Sequence, residues 1–191
     1  MALRENCDRW NEQWVARCSA STTPTFRWYQ VDGKTARDHI LEALRNQTQR
    51  HCSFCDAFPV AGVTNEPIEH FRPKNQFPSY AYTWTNLYYC CNACQSAKGE
   101  KWDERLLHAD SAEFEFSRYF EFDFTTGQIR PDPFATDPDQ KRAQVTIELY
   151  SLDSSHRRSN RLDELRNYDK NSEIDRWAYR DFVGMGGPRQ F

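Results

Sequence analysis

Apolar residues recur at helical spacing near both ends of the chain and lose that spacing in the middle. Between Leu3 and about Ala20, Trp10, Trp14 and Val15 share a face, which predicts an amphipathic helix. A Ser/Thr-rich stretch then predicts a loop. Thr35 is placed to open a second helix that carries Ile40, Leu41 and Leu44 on one face and runs toward His51. From about 52 to 102 the pattern is one of short strands and loops, including the aromatic run SYAYTWTNLYY. Alternation in EFEFSRYFEFDF, with Thr125-Thr126-Gly127 as the turn and Gln128 to Arg130 returning, predicts a hairpin at about 113–131. Helical spacing resumes at Asp137-Pro138, an N-cap and first-turn pair. Gln140 stands there at the capping-box position, and Ala143, Ile147 and Tyr150 share one face. A further helix is expected from about Ser155 to Tyr168, and the glycine-rich end VGMGGPRQF is expected to fray. These elements describe an α+β protein, one compact domain read as three zones: 1–51 helical, 52–102 a small central module, and 103–191 a hairpin followed by helices.

The central module has little apolar material for a core of its own, and its cysteines supply the remedy. Cys52/Cys55 in HCSFC and Cys91/Cys94 in CNAC form two C-x-x-C pairs. Two intervening residues let both sulfurs of a pair reach one ion, so the pairs predict a tetrahedral zinc site. Four thiolates leave no open position on the metal, which makes the site structural. Cys90 is a rival ligand but lacks the spacing, and Cys7 and Cys18 read as free thiols. With 191 residues, 38% hydrophobic and 15% aromatic, the chain suffices for a modest core that the metal would reinforce. The polar start MALRENCDRWNEQW is no secretory signal and no apolar run has transmembrane length. Seven cysteines in that context predict metal binding in a reducing, cytoplasmic setting, with no membrane partner.

Between the knuckles lies Glu69-His70, in the run IEHFRPK. A carboxylate and an imidazole so placed suit phosphodiester hydrolysis, with a divalent ion such as Mg²⁺ or Mn²⁺ to bind the phosphate and the histidine to take the proton of water. Ions of that type need only one or two protein ligands. Glu69 is the first, and Gln95, directly after the last zinc cysteine, is placed to supply the second. Lys98 lies one helical turn further, suited to contact a phosphate. Arg72 and Lys74 are substrate-binding candidates, with a structural salt bridge the alternative for Arg72. His51 could support the knuckle from behind, while His39, His108 and His156 read as surface or core residues. The aromatic run is read mainly as core, with base stacking as the alternative. Arg157, Arg158 and Arg161 suit either a phosphate backbone or a solvated helix face. Net charge is −3, and residues 52–102 carry four basic and four acidic groups, so nothing attracts phosphate globally. A more basic partner would compensate.

The order C-x-x-C, E-H-F-R-P-K, N-L-Y-Y-C-C-N-A-C-Q-S-A-K-G resembles the HNH endonucleases, whose core is a zinc-supported ββα-metal motif. The resemblance implies that His70 is the general base, Glu69 a metal ligand, and Asn86 the middle Asn that secures the loop and orients the histidine. Gln95 stands where the family usually has Asn or His, a departure that moves the amide oxygen outward. The flanks Ala143, Thr146, Ile147, Tyr150 and Leu152, with the arginines after them, resemble one subgroup: the PtuB-like nuclease subunit of Septu-type anti-phage systems, also found with retrons. That subgroup implies an ATPase partner of the SMC/ABC type (PtuA-like). DNA is the favoured substrate. RNA, for example a tRNA, and a non-catalytic zinc module that binds nucleic acid or a partner are the alternatives.

Overall fold

A computed structural model describes residues 2–60 and 67–186. The first helix, α1 (Ala2–Ala20), buries Trp10 and Trp14, one turn apart, in a core with Ile40, Leu41, Leu44, Tyr82, Leu87 and Tyr89. Asn11 lies between the two tryptophans and is buried for a polar reason. Its side chain accepts the Tyr82 N–H (2.8 Å) and donates to Thr83 Oγ1 (3.1 Å), which ties the helix to the loop above the central strands. Residues 30–35 form a hairpin of β1 (Gln30–Val31) and β2 (Lys34–Thr35) in what the sequence pattern leaves as loop. Asp32-Gly33, at φ 50° and 78°, is the two-residue turn that such a hairpin needs. Thr35 then caps α2 (Ala36–Gln47) by accepting the Asp38 N–H at 3.2 Å.

The central strands β3 (Ile68–His70) and β4 (Leu87–Tyr89) pair antiparallel, with Glu69 opposite Tyr88 and His70 opposite Leu87. Both are buried along their whole length, which explains why period-two alternation is weak there. Helix α3 (Asn92–Lys98) follows at once, giving the order strand, strand, helix.

The expected hairpin at 113–131 is real but shorter. Phe116–Tyr119 form a helical turn, α4, and only β5 (Phe120–Asp123) and β6 (Gln128–Pro131) pair. Stacking of Phe116 on Phe122 (4.7 Å) and Phe114 on Tyr119 (5.7 Å) satisfies these aromatic rings without a continuous strand. Gly127 closes the turn at φ 70°, and a Cβ there would lie 2.4 Å from the Arg158 carbonyl oxygen.

Helix α5 (Asp137–Tyr150) starts one residue earlier than the sequence pattern indicates. Thr136 is the cap, accepting the Asp139 N–H at 3.3 Å, and Gln140 turns back to the carbonyls of Pro133 and Ala135 instead of closing a capping box. Helix α6 (Ser155–Asn167) and α7 (Arg180–Gly186) complete the chain. The expected fray does not begin at Val183, which is fully buried with Phe182. Of that segment, residues 187–191 lie outside the described residues. Arg180 pairs with Asp56 at 2.7 Å, so the end of the chain is fastened to the first cysteine knuckle. Among the described residues no helix is long and apolar enough to cross a membrane.

Candidate functional site

The two cysteine pairs, 36 residues or more apart in sequence, converge. Their four sulfurs, from Cys52, Cys55, Cys91 and Cys94, all lie within 4.8 Å of one another. A tetrahedral ion with metal–sulfur bonds of about 2.3 Å sets its sulfurs about 3.8 Å apart, and Cys55 and Cys91 stand at 3.7 Å. That separation is far too long for a disulfide, and no disulfide joins any of the cysteines among the described residues. Main-chain amides point at the sulfurs as a thiolate requires: Cys91 N–H donates to Cys52 at 3.3 Å and Cys94 N–H to Cys91 at 3.4 Å. The Cys91 thiol is brought down to about 7; the Cys52 thiol opposes this, but hydrogen bonds from Cys55 and Cys94 prevail. The cluster can hold a metal ion such as zinc. Cys90 is buried and turns its thiol to the Cys91 carbonyl instead.

One arginine gives the cluster its counter-charge. Arg157 of α6 is buried, 5% exposed, and donates to Cys94 Sγ at 3.1 Å. No carboxylate pairs with it among the described residues. Burial works against its charge, and the charges of Cys55, Cys94 and Cys91 more than offset that, holding its pKa above the usual arginine value. A buried guanidinium beside four neutral thiols would lack any compensating anion, so Arg157 itself argues for thiolates, and hence for a metal. The phosphate-contact and solvated-face readings of Arg157 and Arg161 are both overturned. Arg161 also points inward, donating to the carbonyls of Gly127 (2.7 Å) and Leu152 (3.0 Å). Arg158 is the partly exposed member and pairs with Asp153.

Helix α3 carries the metal knuckle directly into a cleft. Cys94 holds its N-terminal turn, and Lys98, one turn on, is fully buried with its ammonium bonded to Glu69 Oε1 (2.7 Å), the His70 carbonyl (2.9 Å) and the Gly99 carbonyl (3.4 Å). An ammonium has three protons, and all three are spoken for. Lys98 therefore cannot reach a phosphate, as its exposure on a helix would have allowed; it fixes the position of Glu69. Burial lifts the Glu69 carboxyl above the usual range while Lys98 pulls the other way. Gln95 directs its amide nitrogen toward the Ile68 carbonyl at 3.4 Å and also lowers the Glu69 carboxyl through a hydrogen bond.

His70 is 8% exposed, and its Nε2 lies 2.9 Å from the Ala81 carbonyl oxygen. A carbonyl only accepts, so Nε2 carries the proton and the lone pair of the neutral ring sits on Nδ1. Burial, then the charge of Lys74, holds the imidazole down at about 3. Asn86 braces the loop that carries the Ala81 carbonyl, through the residue just before it. This buried amide accepts the Arg72 N–H at 2.7 Å and donates to the carbonyls of Arg72 (3.1 Å) and Tyr80 (3.0 Å), pinning both ends of the intervening loop.

Glu69, His70, Lys74 and Gln95 line one cleft of about 460 Å³. Arg72 and Lys98 are not part of its wall. The half-buried Arg72 guanidinium instead stands over Tyr80 (4.8 Å), Trp102 (5.6 Å) and Phe77 (5.9 Å), with no salt-bridge partner among the described residues. His51 is buried against Phe58, with Nδ1 and Nε2 each facing main-chain carbonyls, so it joins segments of the chain. Most of the aromatic run is core, with Tyr82, Tyr88 and Tyr89 buried and Tyr80 exposed. The opposite wall is Phe26, Trp28 and Arg37, which come from the N-terminal region and carry no motif that could have announced them.

No protein-family profile matches the chain. Over 63 residues, 33% of this chain, it is 29% identical to the Septu protein PtuB of Bacillus thuringiensis. The match spans about a quarter of that relative's length, 24%, so the likeness is to a segment of it and not to the whole protein.

Proposed function

We propose that this chain is a metal-dependent endonuclease of the HNH type that hydrolyses phosphodiester bonds, DNA in the first instance, as the nuclease component of an anti-phage defence system. The observation that supports it most is the pairing of Glu69 and His70 in one cleft, each side chain held by a buried partner. The likeness to a Septu protein supports the defence setting. Glu69 through its second carboxylate oxygen, and Gln95 through its amide oxygen, are the oxygen donors a magnesium- or manganese-type ion takes. Such an ion, when bound, supplies charge neutralisation at the phosphate.

His70 Nδ1 takes a proton from water as the water oxygen bonds to phosphorus, and the P–O bond to the leaving oxygen breaks, that oxygen taking its proton from solvent. The bond to Ala81 keeps the ring in the tautomer this step needs. Its low pKa leaves the lone pair free at neutral pH, and an arriving phosphate raises the basicity by opposing Lys74. The cysteine cluster, four-coordinate, holds the fold. With a net charge of −3, the chain takes its nucleic acid together with a partner, for which an ATPase of the SMC/ABC type (PtuA-like) is the candidate.

The test is incubation of the purified chain, alone and with that ATPase, with plasmid DNA and total tRNA in Mg²⁺ or Mn²⁺, beside a His70→Ala control. Cleavage that vanishes in the control is expected, and the substrate cut decides DNA against RNA. No cleavage of either with zinc bound and partner present would leave a nucleic-acid- or partner-binding zinc module.

A further inference from the structure

The wall of the cleft that faces Glu69 and His70 is aromatic and cationic, and it is supplied from outside the strand–strand–helix core. Phe26 meets the His70 ring edge-on, with centroids 5.4 Å apart and planes at 86°, and Trp28 lies parallel to it at 6.1 Å and 16°. Both rings pack on the core that takes Trp10 and Trp14, yet neither is fully buried. Two cations line the cleft, Lys74, its ammonium 5.4 Å from the Phe26 ring centre, and Arg37 of α2, with Glu100 the acid besides Glu69. A protein that needed only to shield a histidine would do so with apolar side chains. Rings and cations together beside a reactive pair are the chemistry that holds a base by its face and its phosphate by charge.

We infer that Phe26, Trp28, Arg37 and Lys74 form a subsite for one unpaired nucleotide next to the scissile phosphate, with Trp28 as the platform for its base. This rests on the nuclease reading and narrows its substrate. The cleft, about 460 Å³, has the size of a small-ligand site and admits one nucleotide, not a duplex. A base inside a duplex is covered on both faces by its neighbours, so only one that is single-stranded or turned out of the helix can present a face to Trp28. The enzyme then prefers single strands, loops or distorted sites over smooth duplex, whether the sugar is deoxyribose or ribose.

The test measures binding and cleavage separately. Binding is followed by fluorescence anisotropy on the full chain carrying His70→Ala, with a labelled single-stranded oligodeoxynucleotide, its duplex, and the matching oligoribonucleotide. Adding Trp28→Ala is expected to weaken single-strand binding about tenfold to a hundredfold, as loss of one stacked base does, and to leave duplex binding unchanged. Trp28→Phe, which keeps a π-face, should retain most of the affinity. Equal single-strand affinity for Trp28→Ala and its parent, or a parent that prefers duplex, overturns the subsite. Cleavage is read with His70 intact. Single-strand binding that depends on Trp28 without any hydrolysis overturns the nuclease reading alone, while hydrolysis indifferent to Trp28 overturns the subsite alone. Absence of both binding and cleavage overturns both.

Discussion

Lys98→Met isolates the contact on which the cleft depends. The native side chain has no exposure and its ion pair with Glu69 is nearly as dry, 0% and 6% for the two side chains. Methionine fills much the same volume, so packing is largely preserved and the loss is electrostatic. Removing one partner of a buried pair leaves an uncompensated charge and costs about 3–5 kcal/mol, a large part of the roughly 5–15 kcal/mol that holds a domain together. Two further hydrogen bonds from the ammonium, to the His70 and Gly99 carbonyls, disappear with it. The assay is urea denaturation followed by circular dichroism. Glu69→Gln on the same background removes the orphaned charge, so the double variant should recover about 2 kcal/mol of the loss.

The pH dependence has a definite sign. Burial already raises the folded-state pKa of Glu69, and without Lys98 it rises further. Folding then takes up a proton between the unfolded and the folded pKa, so the variant should gain stability as pH falls from neutral toward the ordinary carboxylate range. A loss below about 1 kcal/mol, or a double variant no better than the single, would show that the pair does not carry the position of Glu69.

Two other substitutions probe the interior. Arg157→Met should reduce zinc retention about tenfold to a hundredfold, as loss of a group hydrogen-bonded to a metal ligand does, measured by chelator competition; unaltered retention would mean that the cluster needs no counter-charge from α6. Tyr150 is fully buried, stacked on Phe54 at 3.9 Å, and its hydroxyl has no hydrogen-bond partner among the described residues. Tyr150→Phe should therefore leave stability unchanged or raise it by about 1 kcal/mol, and a comparable loss in thermal or urea unfolding would reveal a partner for that hydroxyl.

What could be read from the sequence was whatever is encoded locally. Two residues between cysteines, a threonine ahead of an apolar face, and Glu-His next to a proline turn each carry their meaning within a few positions. Asp32-Gly33 was equally local, and its hairpin is absent from the pattern only because the strands are two residues long. The one-residue slip at α5 has a similar scale: Thr136, Asp137 and Asp139 are all capping residues, and only backbone geometry selects Thr136. Charges were a different matter. Lys98 and Arg157 look like surface residues by type and by neighbours, yet their partners lie 29 and 63 positions away. A buried charge is decided by where its counter-ion arrives in three dimensions, and no spacing rule reports that. For the same reason Phe26, Trp28 and Arg37 gave no sign of facing His70.

Helix α3 shows why the metal cluster and the cleft cannot be treated as separate modules. Seven residues are too few for a helix to persist in water on its own. Its N-terminus is held by Cys91, whose sulfur accepts the Cys94 N–H as a cap while belonging to the cluster. Its C-terminus is held by Lys98, and Gly99 ends it at φ 54°, its N–H returning to the Gln95 carbonyl at 2.8 Å. Both anchors are groups of the site, and Gln95 lies between them. Loss of the metal would free the N-terminal anchor, leaving packing on α5 and the Gln95 contact to the Ile68 carbonyl to keep Lys98 against Glu69. A metal held by the four cysteines would thus bear on the position of Glu69 through a single short helix.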